Sequence, residues 1–247
     1  MTLQRIYITR HGFRSNWDVD APPKPIPTNI DGDFVLSAHG EEQAAELCKR
    51  LASIQPAIER VYCSPFYRCL QTVGAFTESA GLDLLPENGV GEWYGITRAT
   101  HPTAASAQVL HRFFPSVPES YTPIMVPSSQ GESFDELHQR AQDILAEIIR
   151  RANADGIKTL LICSHAATIH ALSRALVGDP SFTARTGTCS LALYELNPEY
   201  TSSLPGNWIC VQNGDSTHLT LGEERHWDFE TGNYDFLDVQ TNRESIK

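Results

Sequence analysis

The chain has 247 residues, 41% of them hydrophobic, and a formal net charge of −11. That length and apolar content suit one large domain with a sizeable core. The acidic balance speaks against sequence-independent binding to a nucleic-acid backbone, which needs a basic face. The first apolar, β-branched stretch, Ile6-Tyr7-Ile8, reads as a buried strand. It follows an N-terminus with no signal-peptide pattern. A segment rich in Pro, Asp and Gly, from Asp18 to Asp33, suits neither a regular helix nor a central strand. Ser37 reads as the N-cap of a helix from Glu41 to about Ala52, with Ala44, Leu47, Cys48 and Leu51 on one face. Ile58 to Cys63 is the second strand. Ser64 and Pro65 then read as the cap and first position of a helix that carries Arg68 and stops at Gly81.

A short extended piece, Leu82 to Pro86, comes next. The stretch from Gly89 to Ser129 reads as an irregular lid with one weak helix near Ala104 to Phe113. Phe134 to about Ala154 has the period of an amphipathic helix, with Leu137, Ala141, Ile144, Leu145 and Ile148 on its apolar side. Thr159 to Cys163 is the strongest buried strand. Ser164-His165 sits at its carboxyl end, and Ala166 opens another helix. Ser190 to Leu196 and Trp208 to Gln212 read as a hairpin, with Thr217 to Leu221 a further strand beside it. The tail after Trp227 is acidic and polar, a composition that packs loosely. Alternation of strand and helix, then a run of strands, predicts a three-layer α/β/α sandwich. Its central sheet is mostly parallel with an antiparallel edge. A single domain over 1–247 is expected, with a lid insertion at about 89–129.

Six cysteines occur, none in a CxxC pair, so zinc is poorly supported and reduced thiols in an intracellular protein are expected. No apolar run approaches the roughly 20 residues that span a bilayer. The expected location is cytoplasmic or nuclear.

Two histidines, His11 and His165, each close a predicted strand. Arg10 and Arg14 flank the first, and Arg68 lies in the first turn of the helix after the second strand. If these strands are parallel neighbours, the groups gather at one end of the sheet, where ligands of open α/β sheets bind. Three guanidinium groups, two imidazoles and helix N-termini suit a tetrahedral dianion. Taken alone, His11 reads as a core histidine and His165 is an even case; in combination both point to chemistry. Asn16 is a candidate substrate contact, although a cap is the more ordinary use of Ser15 and Asn16. Glu92 is the candidate acid, with Glu87 a nearby competitor. Trp17, Phe66, Trp93 and Tyr94 are candidates for the mouth of the site, and Phe134 and Trp208 for the core. His39, His101, His111, His138, His170, His218 and His226 read as surface residues.

These segments together resemble the histidine phosphatases, the phosphoglycerate-mutase-like superfamily (branch 1). Arg10-His11-Gly12 resembles its first signature and Ser64-Pro65-Phe66-Tyr67-Arg68-Cys69-Leu70-Gln71-Thr72 its second motif. Gly91-Glu92-Trp93-Tyr94 resembles the acid-bearing loop and Ser164-His165-Ala166 the second-histidine motif. Arg14 makes the opening read R-H-x-x-R, similar to eukaryotic protein-tyrosine phosphatases of the suppressor-of-T-cell-receptor-signalling type. The serine-containing opening of the phosphoglycerate mutases is lacking. The motifs are more similar still to the histidine phosphatase domain of the fungal transcription factor IIIC tau subunit and its stand-alone paralogue. Thr188 to Leu191, and Gly222-Glu223-Glu224 with Trp227, also fit that domain.

The resemblance implies a phosphomonoester hydrolase, with His11 the nucleophile that becomes a phosphohistidine. Arg10, Arg14, Arg68 and His165 would hold the non-bridging oxygens. Glu92 would be proton donor and then base, a role that asks for a raised pKa. No metal or cofactor is implied. A phosphorylated protein or peptide is the expected substrate, with no direct contact to nucleic acid or membrane. Two alternatives remain: a small-metabolite phosphatase or mutase, and a non-catalytic module docking on a protein partner in a transcription complex.

Overall fold

The computed structural model describes residues 2–96 and 101–229. The aliphatic runs form β1 (Arg5–Arg10), β2 (Arg60–Cys63), β3 (Leu84–Pro86), β4 (Thr159–Ser164), β5 (Leu191–Leu196) and β6 (Trp208–Asp215). They pair into one sheet in the order β3-β2-β4-β1-β5-β6. The pairs β3–β2, β2–β4 and β4–β1 are parallel; β1–β5 and β5–β6 are antiparallel. The helices are α1 (Ala38–Ala52), α2 (Tyr67–Ala80), the short α3 (Ala107–His111), α4 (Phe134–Ala154) and α5 (Ala166–Val177).

The two-residue period of the strands sorts their side chains between two cores. Ile6, Ile8, Leu160 and Ile162 pack with Leu137, Ile144 and Ile148 of α4 and Ile169 and Leu172 of α5. Tyr7, Leu161 and Cys163 turn the other way, onto Leu47 and Leu51 of α1 and Leu70 and Val73 of α2. Burying each such aliphatic side chain contributes about 2 kcal/mol. Helices on both faces of a mixed sheet make the expected sandwich.

Helix ends follow local chemistry. The Ser37 hydroxyl accepts from Gly40 N at 3.0 Å. Gly81 closes α2 in the left-handed region, at φ 65°, where glycine lacks the Cβ that would clash. Ser133 and Glu136 form a reciprocal capping box at the start of α4.

Several expectations need correction. Ser64 does not cap α2, which starts at Tyr67 after Phe66. Its cap is remote: the Asp33 carboxylate accepts from Tyr67 N at 2.7 Å. Of the weak helix near Ala104 to Phe113 only Ala107–His111 forms. Thr217 to Leu221 is a run of turns, shaped by the Asp215 carboxylate accepting from Thr217 N. Phe134 is 43% exposed, since at the first position of α4 its ring meets His138 and Phe229 rather than the core, whereas Trp208 is buried as expected. His170 is buried too, and its Nε2 donates to the Trp227 carbonyl at 2.9 Å. The start of the tail is packed, with Phe229 against Trp227 and Phe134 at ring distances of 4.8 and 4.9 Å; residues 230–247 lie outside the described residues. Four cysteines are buried, two are half-buried and all six are free. Among the described residues, no helix is long and apolar enough to cross a membrane.

Candidate active site

Parallel pairing of β1 with β4 places Arg10 opposite Ser164, so His11 and His165 leave the sheet side by side, their ring centroids 5.2 Å apart. The backbone continues the pairing, with His11 N donating to Ser164 O. Its Nδ1 lies 2.8 Å from the Gly12 carbonyl oxygen. A carbonyl only accepts, so Nδ1 carries the proton and Nε2 the lone pair. Burial, and then the charges of Arg68, His165, Arg10 and Arg14, hold the His11 pKa well below its ordinary value. The ring is therefore held toward the neutral form, with its lone pair at Nε2.

β2 on the far side of β4 delivers the N-terminus of α2, and with it Arg68. Arg68 Nη2 lies 3.1 Å from Glu92 Oε2, and His165 Nδ1 lies 3.1 Å from the same oxygen. The opposite nitrogen, His165 Nε2, is 2.7 Å from the Ser64 hydroxyl. Burial disfavours charge on His165, but the neighbouring Cys69 and the Glu92 carboxylate outweigh it and raise its pKa. Burial pushes Glu92 up, yet the His165 charge and hydrogen bond and the Arg68 charge pull it far below the carboxylate range. The raised pKa expected of an acid is thus absent, since the carboxylate is paired with both cations.

The loop before Glu92 is held on three sides. Arg140 of α4, paired with the buried Glu132, donates to Gly89 O at 2.8 Å. The Ser164 hydroxyl donates to Val90 O and Thr168 to Gly91 O, both at 2.7 Å. Glu87, the competitor, has a structural task. Its carboxylate accepts from Gly89 N, the Tyr121 hydroxyl, Ile124 N and Met125 N.

A narrow pocket above these groups is lined by Arg10, His11, Arg14, Trp17, Glu92, Ala166 and Trp227. Arg68 and His165 lie beneath its wall, both almost fully buried. Arg10 Nη1 donates to the carbonyls of Thr186 (2.8 Å) and Arg225. The Arg14 guanidinium lies 4.2 Å from the centre of the Trp17 ring. Asn16 sits in the 3-10 turn Ser15–Trp17, off the pocket wall, and neither it nor Ser15 caps that turn. Glu92 is also a wall of a second, more apolar cleft lined by Phe66, Tyr94, His101, Pro102, Val126 and Pro127. There the Tyr94 and His101 rings stack at 4.8 Å. Trp93 turns away toward Phe229 instead.

The structure brings His11, His165, Arg10, Arg14, Arg68 and Glu92 together, and Asn16 stands beside Trp17 with its Oδ1 buried and without a hydrogen-bond partner. Asp33, 3.9 Å from Arg68 Nη1, is not foreseen in the sequence, nor are Ser64 as a partner of His165, Arg140 as the brace of the Glu92 loop, and the strap carrying Arg225 and Trp227. Trp227 had a signal, as part of the late motif. Asp33, in an aperiodic proline-rich loop, had none.

A central mixed α/β sheet with two histidines and an arginine cluster at its carboxyl end is the arrangement of the phosphoglycerate-mutase-like class. The model of the histidine phosphatase superfamily (branch 1) matches residues 6–204, and the chain belongs to that family. It is 32% identical over 259 residues to the transcription factor tau 55 kDa subunit of Saccharomyces cerevisiae, spanning 93% of this chain and 59% of that protein. It is 26% identical over 208 residues to the ecdysteroid-phosphate phosphatase of Drosophila melanogaster, covering 71% of this chain and 27% of that one. Among solved structures, the ecdysone phosphate phosphatase of Bombyx mori superposes with a TM-score of 0.64 at 17% identity, over 94% of this chain and 98% of that one. The phosphoserine phosphatase of Entamoeba histolytica gives 0.57 at 15% identity, over 87% and 98%. These two likenesses show the fold.

Proposed function

We propose that the chain hydrolyses phosphomonoesters through a phosphohistidine on His11. The observation that carries this reading is the neutral His11 ring, its Nδ1 proton held by Gly12 O, in a pocket walled by Arg10 and Arg14. In the first step Nε2 attacks phosphorus and the ester oxygen leaves with a proton from Glu92. In the second, water loses its proton to Glu92 and displaces the phosphoryl group from His11. The arginines hold the non-bridging oxygens throughout.

Glu92 becomes an acid on binding. A phosphate dianion competes with it for Arg68 and His165 and adds like charge beside it, so the forces that depress its pKa are withdrawn as substrate enters. The leaving group then lies over Glu92, toward the cleft of Phe66, Tyr94 and His101, whose stacked rings suit a flat side chain. A phosphorylated protein or peptide is the substrate class we assign.

Replacing His11 by Ala should abolish phosphate release from p-nitrophenyl phosphate and from phosphopeptides while circular dichroism stays unchanged. Undiminished turnover in that variant sinks the assignment. The likeness to the tau 55 kDa subunit favours a second reading, a docking module of a transcription complex. An inactive wild-type chain that still joins such a complex would select it.

A further inference from the structure

The family model ends at residue 204, yet part of the pocket comes from beyond it. Trp227 forms one wall, and the Arg225 carbonyl holds Arg10. We propose that residues 222–229 form a strap latched by Glu224, and that Glu224 is a positioning residue which sets the affinity of the pocket for phosphate by fixing Arg10. The kinetic part of this inference rests on the phosphatase reading above; the binding part does not.

The latch lies outside the pocket. Glu224 Oε2 accepts from Gln43 Nε2 at 2.6 Å and lies 2.6 Å from His39 Nε2, both residues of α1. Gln43 reaches the nucleophile loop with its other end, where its Oε1 accepts from Phe13 N at 3.0 Å. A chain of two hydrogen bonds, through the Gln43 amide, thus runs from the backbone two residues after His11 to the strap. The main chain of the strap is tied in parallel: Thr188 N donates to Glu224 O at 3.0 Å.

The next residue makes the turn that matters. Arg225 has φ 53°, in the left-handed region that L side chains rarely adopt. Such a conformation costs free energy and persists only where its surroundings enforce it. Here the turn brings the Arg225 carbonyl to Arg10 Nη1, where the Thr186 carbonyl already sits. Two carbonyls on one nitrogen fix the plane of the Arg10 guanidinium at the pocket wall. The Arg225 guanidinium meanwhile lies 4.3 Å from the centre of the Trp17 ring, the ring that also carries Arg14 at 4.2 Å. One strap residue therefore touches the supports of both arginines that line the pocket.

The far end is anchored independently. Thr186 Oγ1 donates to Trp227 O at 2.7 Å, and His170 Nε2 donates to the same oxygen. Phe229 packs among Trp93, Phe134 and His170. With both ends tied, loss of the Glu224 latch frees the stretch around Arg225 while the Trp227 end stays docked. That predicts weaker phosphate binding with little loss of global stability, which distinguishes positioning from packing.

The test uses the full chain and two variants, Glu224→Ala and Glu224→Gln. Glutamine keeps a carbonyl for Gln43. Three readouts are taken: orthophosphate affinity by calorimetry, KM and kcat for p-nitrophenyl phosphate, and the rate of tryptic cleavage after Arg225. In Glu224→Ala, the orthophosphate dissociation constant and KM rise together by about tenfold, kcat changes less, and cleavage after Arg225 accelerates. In Glu224→Gln most of the affinity returns. Orthophosphate slows cleavage in the wild type. The inference is overturned if both variants bind orthophosphate within about twofold of the wild type. It is also overturned if melting temperature and kcat fall while affinity holds, which would make the strap packing only. Should Glu224→Ala not fold, Glu224→Asp, which withdraws the carboxylate from Gln43 and His39, takes its place: weaker orthophosphate binding with faster cleavage after Arg225 supports the proposal, and wild-type affinity with protected cleavage overturns it. A wild type that binds orthophosphate but hydrolyses no ester refutes the function proposed above and leaves the strap to be judged by binding.

Discussion

Glu92 shows how a side chain can be placed correctly from sequence while its state is not. Its position after Gly91 and before Trp93 identified it, and the structure puts it on the wall shared by the pocket and the apolar cleft. Its charge depends on Arg68 and His165, which come from residues far away in the chain, so its pKa was not legible. The assigned role makes a graded prediction. Glu92→Gln keeps the shape but cannot give a proton to the leaving oxygen. For a phosphoserine peptide, whose alkoxide leaves poorly, kcat should fall by about 10²–10⁴-fold. For p-nitrophenyl phosphate, whose leaving group needs little help, the fall should be far smaller. Equal losses on both substrates, measured at one pH, would remove Glu92 from the proton-transfer role and leave it a binding residue.

Elements were legible where their signals are local and periodic. The aliphatic run at Thr159, the 3.6-residue stripe from Leu137 to Ile148, the cap at Ser37 and the stop at Gly81 each act within a few residues. The start of α2 was misread because its cap comes from Asp33, more than thirty residues earlier. The join between β1 and α1 was invisible for a similar reason. The loop after His11 lies directly on the first turn of α1, with Ser37 N donating to the Phe13 carbonyl at 2.9 Å. Gly40 faces that same carbonyl, and a Cβ there would overlap it; a Cβ on Gly12 would come within 2.8 Å of Gly40 O. Two glycines thus permit backbone to meet backbone beside His11. Gly40→Ala must push the loop away. It should destabilise the protein by about 2 kcal/mol, in the range of overpacked cores, and lower kcat because His11 moves with Phe13. Urea midpoints and turnover measured together check this. A Gly40→Ala variant with wild-type stability and rate would show that the close approach has no bearing on the site.

At the scale of the whole molecule, a chain of net charge −11 encloses a cationic pocket. The contrast is maintained by burial: the cations sit at the sheet end under Glu92, while the acidic excess is distributed elsewhere. Burial also leaves histidines that fold in the neutral form, and this fixes how stability responds to acid. His170 is the clearest. Burial lowers its pKa to about 4, against a partial offset from the hydrogen bond to the Trp227 carbonyl. Its ordinary value is 6.5, so between about pH 4 and 6.5 the unfolded chain binds more protons than the folded one. Stability therefore rises with pH across that window. The contribution of His170 is complete above pH 6.5 and is lost as pH falls toward 4. His11, depressed for related reasons, acts in the same direction. Between pH 7.5 and 4.5 His170 alone accounts for about 2.5 kcal/mol of lost stability. His170→Gln can still donate to the Trp227 carbonyl but does not titrate. Its urea midpoint at pH 7.5 should lie near or below that of the wild type, while its decline on going to pH 4.5 should be smaller by that amount. Carboxylates such as Glu92 that weaken the fold on protonation contribute equally to both proteins and cancel in the comparison. Identical acid sensitivity in wild type and variant would mean that His170 is already protonated in the folded protein. The Trp227 carbonyl would then be accepting from an imidazolium, and the anchored end of the strap would carry a charge that the geometry does not assign to it.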